Sequence, residues 1–199
     1  MKVAIVDYGA GNLKSVSKAL DFLKVENIIT DKPEDILEAD KIILPGVGNF
    51  GDTMKQLKQK NLIEPIKQAI ESGKSYLGIC LGLQILFEKS QESSELGLGI
   101  FKGKVVKFNS DKLKIPQIGW NNINIKKESK LFDGIDKGYF YFVHSYYVVP
   151  EDKDIILTTT DYGGEFVSGI EKNNIYAVQF HPEKSGKVGL RLLRNFIEL

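Results

Sequence analysis

The chain is poor in the residues that build disulfide frameworks, metal cages and nucleic-acid-binding faces. Its 199 residues include one Cys and two His. A lone Cys excludes an internal disulfide framework and any cysteine-cage zinc site. Arginine is as sparse, with Arg191 and Arg194 alone, and 27 basic against 26 acidic residues leave a net charge of +1. That balance excludes a basic nucleic-acid-binding face. No apolar run approaches the ~18 residues that span a bilayer. At the N-terminus, Lys2–Val6 runs into Asp7 too soon for a secretory signal. The expectation is a soluble cytoplasmic protein with no nucleic-acid or membrane partner. At roughly 100–200 residues per domain, 1–199 is expected to form one domain, able to bury about 70% of its unfolded surface without staples.

What is present has an order. Lys2–Val6 is a short apolar strand ending at the turn Asp7–Gly11, and Leu13, Val16, Leu20 and Leu23 follow at helical spacing. Asn27–Thr30 predicts a second strand, with Asp31 as an N-cap and Pro33 near the first helical position. Lys41–Leu44 predicts a third strand, stopped by Pro45-Gly46-Val47-Gly48. A helical stretch from about Asp52 to Ser72 is interrupted near Pro65 and closed by Gly73. Ser75–Ile79 predicts a fourth strand, and Leu81–Lys89 has helix-forming composition. This alternation argues for an α/β fold, a doubly wound, mostly parallel sheet flanked by helices. The second half differs. Val105–Phe108, Ile118–Ile125, Tyr139–Val149, Ile155–Thr160, Phe166–Glu171 and Ile175–Phe180 all predict strands, with Asn173-Asn174 as a hairpin turn. It is therefore antiparallel-rich, and it closes on a helix from about Lys187 to Ile197.

If the mechanism uses a Cys or a His, only Cys80, His144 and His181 are available. Cys80 lies in Gly78-Ile79-Cys80-Leu81-Gly82, between a predicted strand and a predicted helix. A nucleophile on a sharp strand-to-helix turn needs small neighbours, as in the G-x-S-x-G elbow, here with sulfur in place of oxygen. The turn also sets the thiol at a helix N-terminus, which favours the thiolate. The Leu81 N–H would face the oxyanion formed when Cys80 attacks a carbonyl. The plainer reading is a small buried hydrophobe, and the flanking glycines count against it.

A thiol with a pKa of ~8.5 needs a base to act at neutral pH. His181 stands in Gln179-Phe180-His181-Pro182-Glu183, just past an apolar strand, with Glu183 two residues on. In extended geometry the two side chains share one side, so the carboxylate can orient the imidazole as in a triad. His144, in Phe142-Val143-His144-Ser145-Tyr146, has no carboxylate within three residues and reads as a satisfied histidine in an aromatic strand. No H-x-x-x-H or C-x-x-C spacing supports a metal site. Gly9-x-Gly11 suggests a dinucleotide loop, but Lys14 stands where the third glycine belongs, so a tight turn is the better reading.

Together these residues resemble the class I, or triad, glutamine amidotransferases. The resemblance rests on Gly78–Gln84 and on His181-Pro182-Glu183. Asp7–Asn12, Leu44–Gly48, Gly119-Trp120-Asn121 and Tyr141–Tyr146 are similar to one branch of that family, the glutaminase subunits of imidazole glycerol phosphate synthases. Many relatives carry Gly-Gly where this chain has Gly46-Val47, a departure typical of the histidine-biosynthesis branch. The resemblance implies Cys80 as nucleophile, His181 as base and acid, and Glu183 as orienting carboxylate. It implies the Gly46–Val47 peptide and Leu81 as oxyanion donors. Gly48, Gln84, Glu92, Ser145 and Tyr146 would hold glutamine, and Asn12, Trp120, Tyr141 and Lys184 would meet a partner. It implies no cofactor. The hydrolase fold uses the whole chain, so the ammonia acceptor would be a separate cyclase subunit, a (β/α)8 barrel. The oxyanion peptide would stay misaligned until that partner and its nucleotide bind. The rivals are a glutaminase subunit for another synthase such as that for pyridoxal phosphate, a cysteine hydrolase of similar fold, and a catalytically dead binding subunit.

Overall fold

A computed structural model describes residues 1–9, 11–109 and 113–199; Ala10, inside the expected turn Asp7–Gly11, lies outside the described residues. In chain order the elements are β1 (Lys2–Val6), α1 (Leu13–Phe22), β2 (Glu26–Thr30), α2 (Pro33–Glu38), β3 (Lys41–Gly46), α3 (Phe50–Gln59), α4 (Ile63–Glu71) and β4 (Ser75–Cys80). They continue as α5 (Leu81–Gln84), β5 (Phe87–Ser90), β6 (Phe101–Lys107), β7 (Gln117–Asn122), β8 (Asn124–Ile125), β9 (Tyr139–His144) and β10 (Tyr146–Pro150). The last are β11 (Ile156–Asp161), β12 (Glu165–Lys172), β13 (Ile175–Val178) and α6 (Gly186–Glu198).

The main sheet runs β2-β1-β3-β4-β13-β12-β10-β6-β5, with β11 on β12 and β8 on β11, while β7 and β9 pair separately. Pairs from β2 through β13 along that path are parallel. Those from β13 to β6 are antiparallel. The parallel strands are apolar on both sides because both faces are covered. On β3, Ile42 and Leu44 enter a core with Ile36, Phe50, Leu57 and Ile66 of α2–α4. Ile43 enters the opposite core, with Leu13 and Leu20 of α1 and Leu192, Leu193 and Phe196 of α6. Each fully buried Leu, Ile or Phe contributes roughly 1.5–3 kcal/mol.

Several local expectations yield to tertiary contacts. Asp31 caps nothing; α2 begins at Pro33 with Lys32 before it, and Asp31 binds Lys60 Nζ at 3.0 Å. The long helix splits at Lys60–Leu62, where Asn61 has φ 55°. Pro65 does not break it but sits in the first turn of α4, where a missing N–H costs nothing. The helix expected over Leu81–Lys89 stops at Gln84. The Ile85 and Leu86 carbonyls accept from Leu98, Ile100 and Phe101, and Phe87–Ser90 pairs with β6 instead. Ile118–Ile125 breaks at Ile123 because β7 and β8 serve different partners, and Tyr139–Val149 breaks at Ser145. Asn173-Asn174 turns the β12–β13 hairpin, with Asn173 at φ 55°.

Register is what positions the site. At the carboxyl ends of the parallel strands, Gly46 of β3 stands beside Cys80 of β4. On the other side Val178 pairs with Ile79, so Gln179 follows beside Cys80 and His181 comes two residues later. Ligand sites of open α/β sheets lie at such strand ends.

Candidate active site

Cys80 is the joint between β4 and α5, with φ 56° and ψ −103°. A non-glycine residue held at positive φ costs about 1–3 kcal/mol and persists only where its surroundings over-determine it. Here they do. A methyl group on Gly78 would lie 2.4 Å from Gly82 O, and one on Gly82 only 1.9 Å from Leu44 O. The small neighbours therefore let the elbow fold back onto β3. A methyl on Gly46 would meet both Leu81 Cβ and Tyr8 Oη at 2.6 Å, so the Gly46–Val47 segment and Leu81 lie against one another.

His181 Nδ1 bonds Glu183 Oε1 at 2.8 Å, and both side chains are essentially inaccessible. Asn12 Nδ2 donates to the same carboxylate oxygen. The backbone around His181 is tied down as well. Its N–H donates to Tyr141 O at 2.9 Å, and Ser185 Oγ donates to its carbonyl at 2.6 Å. His181 Nε2 is buried with no hydrogen-bond partner among the described residues, sulfur included, yet Cys80 is near enough for its charge to act on the ring. Burial pulls this imidazole down. The influence of Cys80, its charge foremost, and then the hydrogen bond and charge of Glu183 outweigh burial and push it up to about 10. At neutral pH the ring is therefore an imidazolium beside sulfur.

A cleft of about 250 Å³ opens on Cys80, lined among others by Val47, Gly48, Leu81, Gln84, Glu92 and Ser145. Tyr146 lines it too. Gln84 Nε2 donates to Tyr146 O, and Glu92 Oε2 accepts from Phe50 N. The cleft thus brings carboxylate, amide and main-chain groups into one space with a nucleophile. A larger hollow of about 640 Å³ beside Met54, Lys58, Glu64 and Leu96 contains neither Cys nor His. Among the described residues, no three His, Cys, Asp or Glu converge as a metal site.

The four residues expected at a partner surface do not line this cleft but are linked to one another and to the His181–Glu183 pair. Asn12 touches Glu183, Lys184 Nζ lies 5.9 Å from the Tyr141 ring centroid, and Trp120 packs edge-on to Tyr141 at 6.0 Å. Trp120 is 55% exposed, and Ile118 and Tyr139 on the same β7–β9 pair are also open to solvent.

His144 lines the same cleft as Cys80 but bonds to other partners. It lies in a ring of Phe108, Phe142 and Phe166, with Nδ1 2.8 Å from Tyr146 O and Nε2 3.0 Å from the Gln117 amide. Burial pulls its pKa down to about 4 against the Tyr146 bond, and the charge of His181 adds to the fall. A neutral ring carries one N–H, so it donates to only one of the two acceptors it faces, Tyr146 O and Gln117 Oε1. An unfolded chain protonates this histidine below about 6.5, so its contribution is complete above that pH and is lost as pH falls through 4. At pH 4.5 the difference amounts to roughly 2–3 kcal/mol. Urea unfolding of the parent and of His144→Gln at pH 7.5 and 4.5 is expected to show this extra acid loss only in the parent. An equal loss in both would contradict it.

Sequence reasoning passed over Gln179 and Gln117. Gln179 Nε2 lies 3.5 Å from Cys80 Sγ, and Gln117 anchors His144. Only strand register, not motif, brings either amide to the site.

Comparison with known proteins agrees with this geometry. The family profile described as "Glutamine amidotransferase class-I" matches residues 4–199. A Pyrococcus furiosus protein named imidazole glycerol phosphate synthase subunit HisH is 56% identical, covering 100% of this chain and 99% of its own length. Namesakes from Aquifex aeolicus (54%, covering 98% and 96%) and Methanococcus maripaludis (52%, covering 99% of each) are similar over the same extent. Among solved structures, a glutamine amidotransferase superposes with TM-score 0.78 at 18% identity, covering 98% of this chain and 97% of its own. The PurLQS structure from Thermotoga maritima gives 0.77 at 21%, covering 99% and 97%. Those two likenesses speak to the fold alone. No helix among the described residues is long and apolar enough to cross a membrane. The chain belongs to the class-I glutamine amidotransferase family.

Proposed function

We propose that residues 1–199 form one domain, the glutaminase subunit of imidazole glycerol phosphate synthase. The observation that carries this reading is the line Cys80–His181–Glu183, buried behind a cleft onto which its first member, the chain's only cysteine, opens. The Cys80 thiolate attacks the side-chain amide carbon of glutamine, and the oxygen takes up negative charge opposite the peptides of Gly46–Val47 and Leu81. His181 gives its proton to the amide nitrogen as the C–N bond breaks and ammonia leaves. A water molecule then attacks the γ-glutamyl thioester. His181 takes its proton, sulfur departs as thiolate, and glutamate is released. Glu183 keeps Nδ1 protonated throughout, so Nε2 is the nitrogen that exchanges protons. Gly48, Gln84, Glu92, Ser145 and Tyr146 hold the amino-acid end of glutamine.

Free ammonia at neutral pH is almost wholly ammonium and no longer nucleophilic. The acceptor must therefore dock over the cleft. The exposed aromatic face of Trp120 and Tyr141, with Asn12 and Lys184 beside it, supports that position for the cyclase subunit, a (β/α)8 barrel. The partner and its nucleotide align the Gly46–Val47 peptide, so hydrolysis is slow in their absence. A diazoketone analogue of glutamine is expected to label Cys80, faster when the cyclase and its nucleotide are present. Absence of an adduct on Cys80 with the partner bound would end the glutaminase reading. Equal labelling rates with and without the partner would end the gating.

A further inference from the structure

We infer that Gln179 is a further residue of the reacting machinery, an amide that donates to the Cys80 sulfur and ties it to the glutamine-holding end of the cleft. The inference rests on the glutaminase reading above and adds a group that reading does not contain. Gln179 follows β13 and is completely buried. Its Nε2 is 3.5 Å from Cys80 Sγ, and its Oε1 is 3.1 Å from Gln84 Nε2.

Which end of this amide faces sulfur follows from the network. The Tyr146 main-chain carbonyl accepts and cannot donate, so Gln84 must present its NH2 there, at 3.0 Å. The second hydrogen of that NH2 points to Gln179, which must therefore offer oxygen to Gln84. The NH2 of Gln179 is then left facing Cys80. A carbonyl of the main chain thus fixes two side-chain amides in series.

A thiolate accepts an N–H bond far better than a thiol does, so a donor held at sulfur favours the ionised form. Gln179 is closed to bulk solvent. The donor adds to His181, which approaches sulfur from the same strand end, two residues further along. The same bond fixes where sulfur points. Because Gln84 lines the cleft, glutamine bound there orders the amide that orders Gln179, and substrate occupancy reaches the nucleophile through two hydrogen bonds.

Were Gln179 only a core amide, its loss would lower stability and leave the ionisation of Cys80 alone. The full chain allows a direct reading, because Cys80 is its only cysteine and every carboxamidomethyl group reports on it. The experiment is the rate of Cys80 alkylation by iodoacetamide against pH, in the parent, Gln179→Met and Gln84→Leu. Gln179→Met keeps length and removes the donor. Its alkylation midpoint is expected to rise by about one pH unit, with a roughly tenfold slower reaction at pH values well below both midpoints. Gln84→Leu frees Gln179 Oε1 and is expected to raise the midpoint by a smaller amount. A folded Gln179→Met whose profile coincides with the parent's overturns the inference. If that variant does not fold, a parent-like profile for Gln84→Leu does so instead. Either result leaves the glutaminase reading standing, since that falls only if the diazoketone fails to label parental Cys80.

Discussion

Cys80→Ser is expected to lower glutamine hydrolysis by about 10⁴-fold or more with little change in thermal stability, because it removes the thiolate and little else. Sulfur and oxygen differ modestly in size, and the elbow that holds position 80 is set by Gly78, Gly82 and β3 rather than by the side chain. A serine hydroxyl is not ionised by an adjacent imidazolium, so the first step loses its nucleophile. The substitution has a second, independent consequence. Burial is the largest influence on His181 and acts downward, and the Cys80 charge is the largest that opposes it. Without that charge the imidazole loses its main support and its titration moves down from about 10, with only Glu183 still holding it up. Steady-state ammonia release, together with NMR titration of the two histidine rings, checks both. A Cys80→Ser enzyme retaining more than about 1% of parental rate would exclude a sulfur nucleophile.

How much of this was readable from residues alone depends on whether chemistry or register carries the information. Cys80 is legible because a strained strand-to-helix joint leaves glycines on both sides, and rare residues make a short search. His181 and Glu183 are legible because two residues of extended chain put side chains on one side. Gln179 carries no comparable mark. An amide is chemically mute until something orients it, and what orients it is Tyr146 O, 33 positions away and on another strand. The Asn12–Glu183 contact is equally hidden, since it joins the first helix of the chain to its last turn. Helix ends failed for a related reason. Leu81–Lys89 has helical composition, but the Ile85 and Leu86 carbonyls find partners in residues 98–101, and that pairing turns Phe87–Ser90 into a strand. Propensity is a weak prior wherever tertiary hydrogen bonds compete for the same backbone.

Gly82→Ala is expected to be more damaging to the fold than the loss of any catalytic side chain, although it adds one methyl group. That methyl would sit 1.9 Å from Leu44 O, a backbone atom that cannot rotate away. Relief requires β3 and α5 to part by about an ångström, and β3 is paired with β1 on one side and β4 on the other. Separation there unseats Gly46 from Cys80 and opens both apolar cores at their shared strand. Overpacking a rigid contact between backbones exceeds the usual core-substitution range, and a loss of about 4 kcal/mol or more is expected. Urea unfolding measures it. Catalysis should fail before the fold does: in the fraction that remains folded, the shifted Gly46–Val47 and Leu81 peptides no longer face the same oxygen. The diazoketone separates the two effects, because it needs an intact Cys80 and an aligned oxyanion site, whereas iodoacetamide needs only the thiolate. Gly82→Ala protein that binds the diazoketone at the parental rate would show that the close approach of α5 to β3 is not what holds the site together.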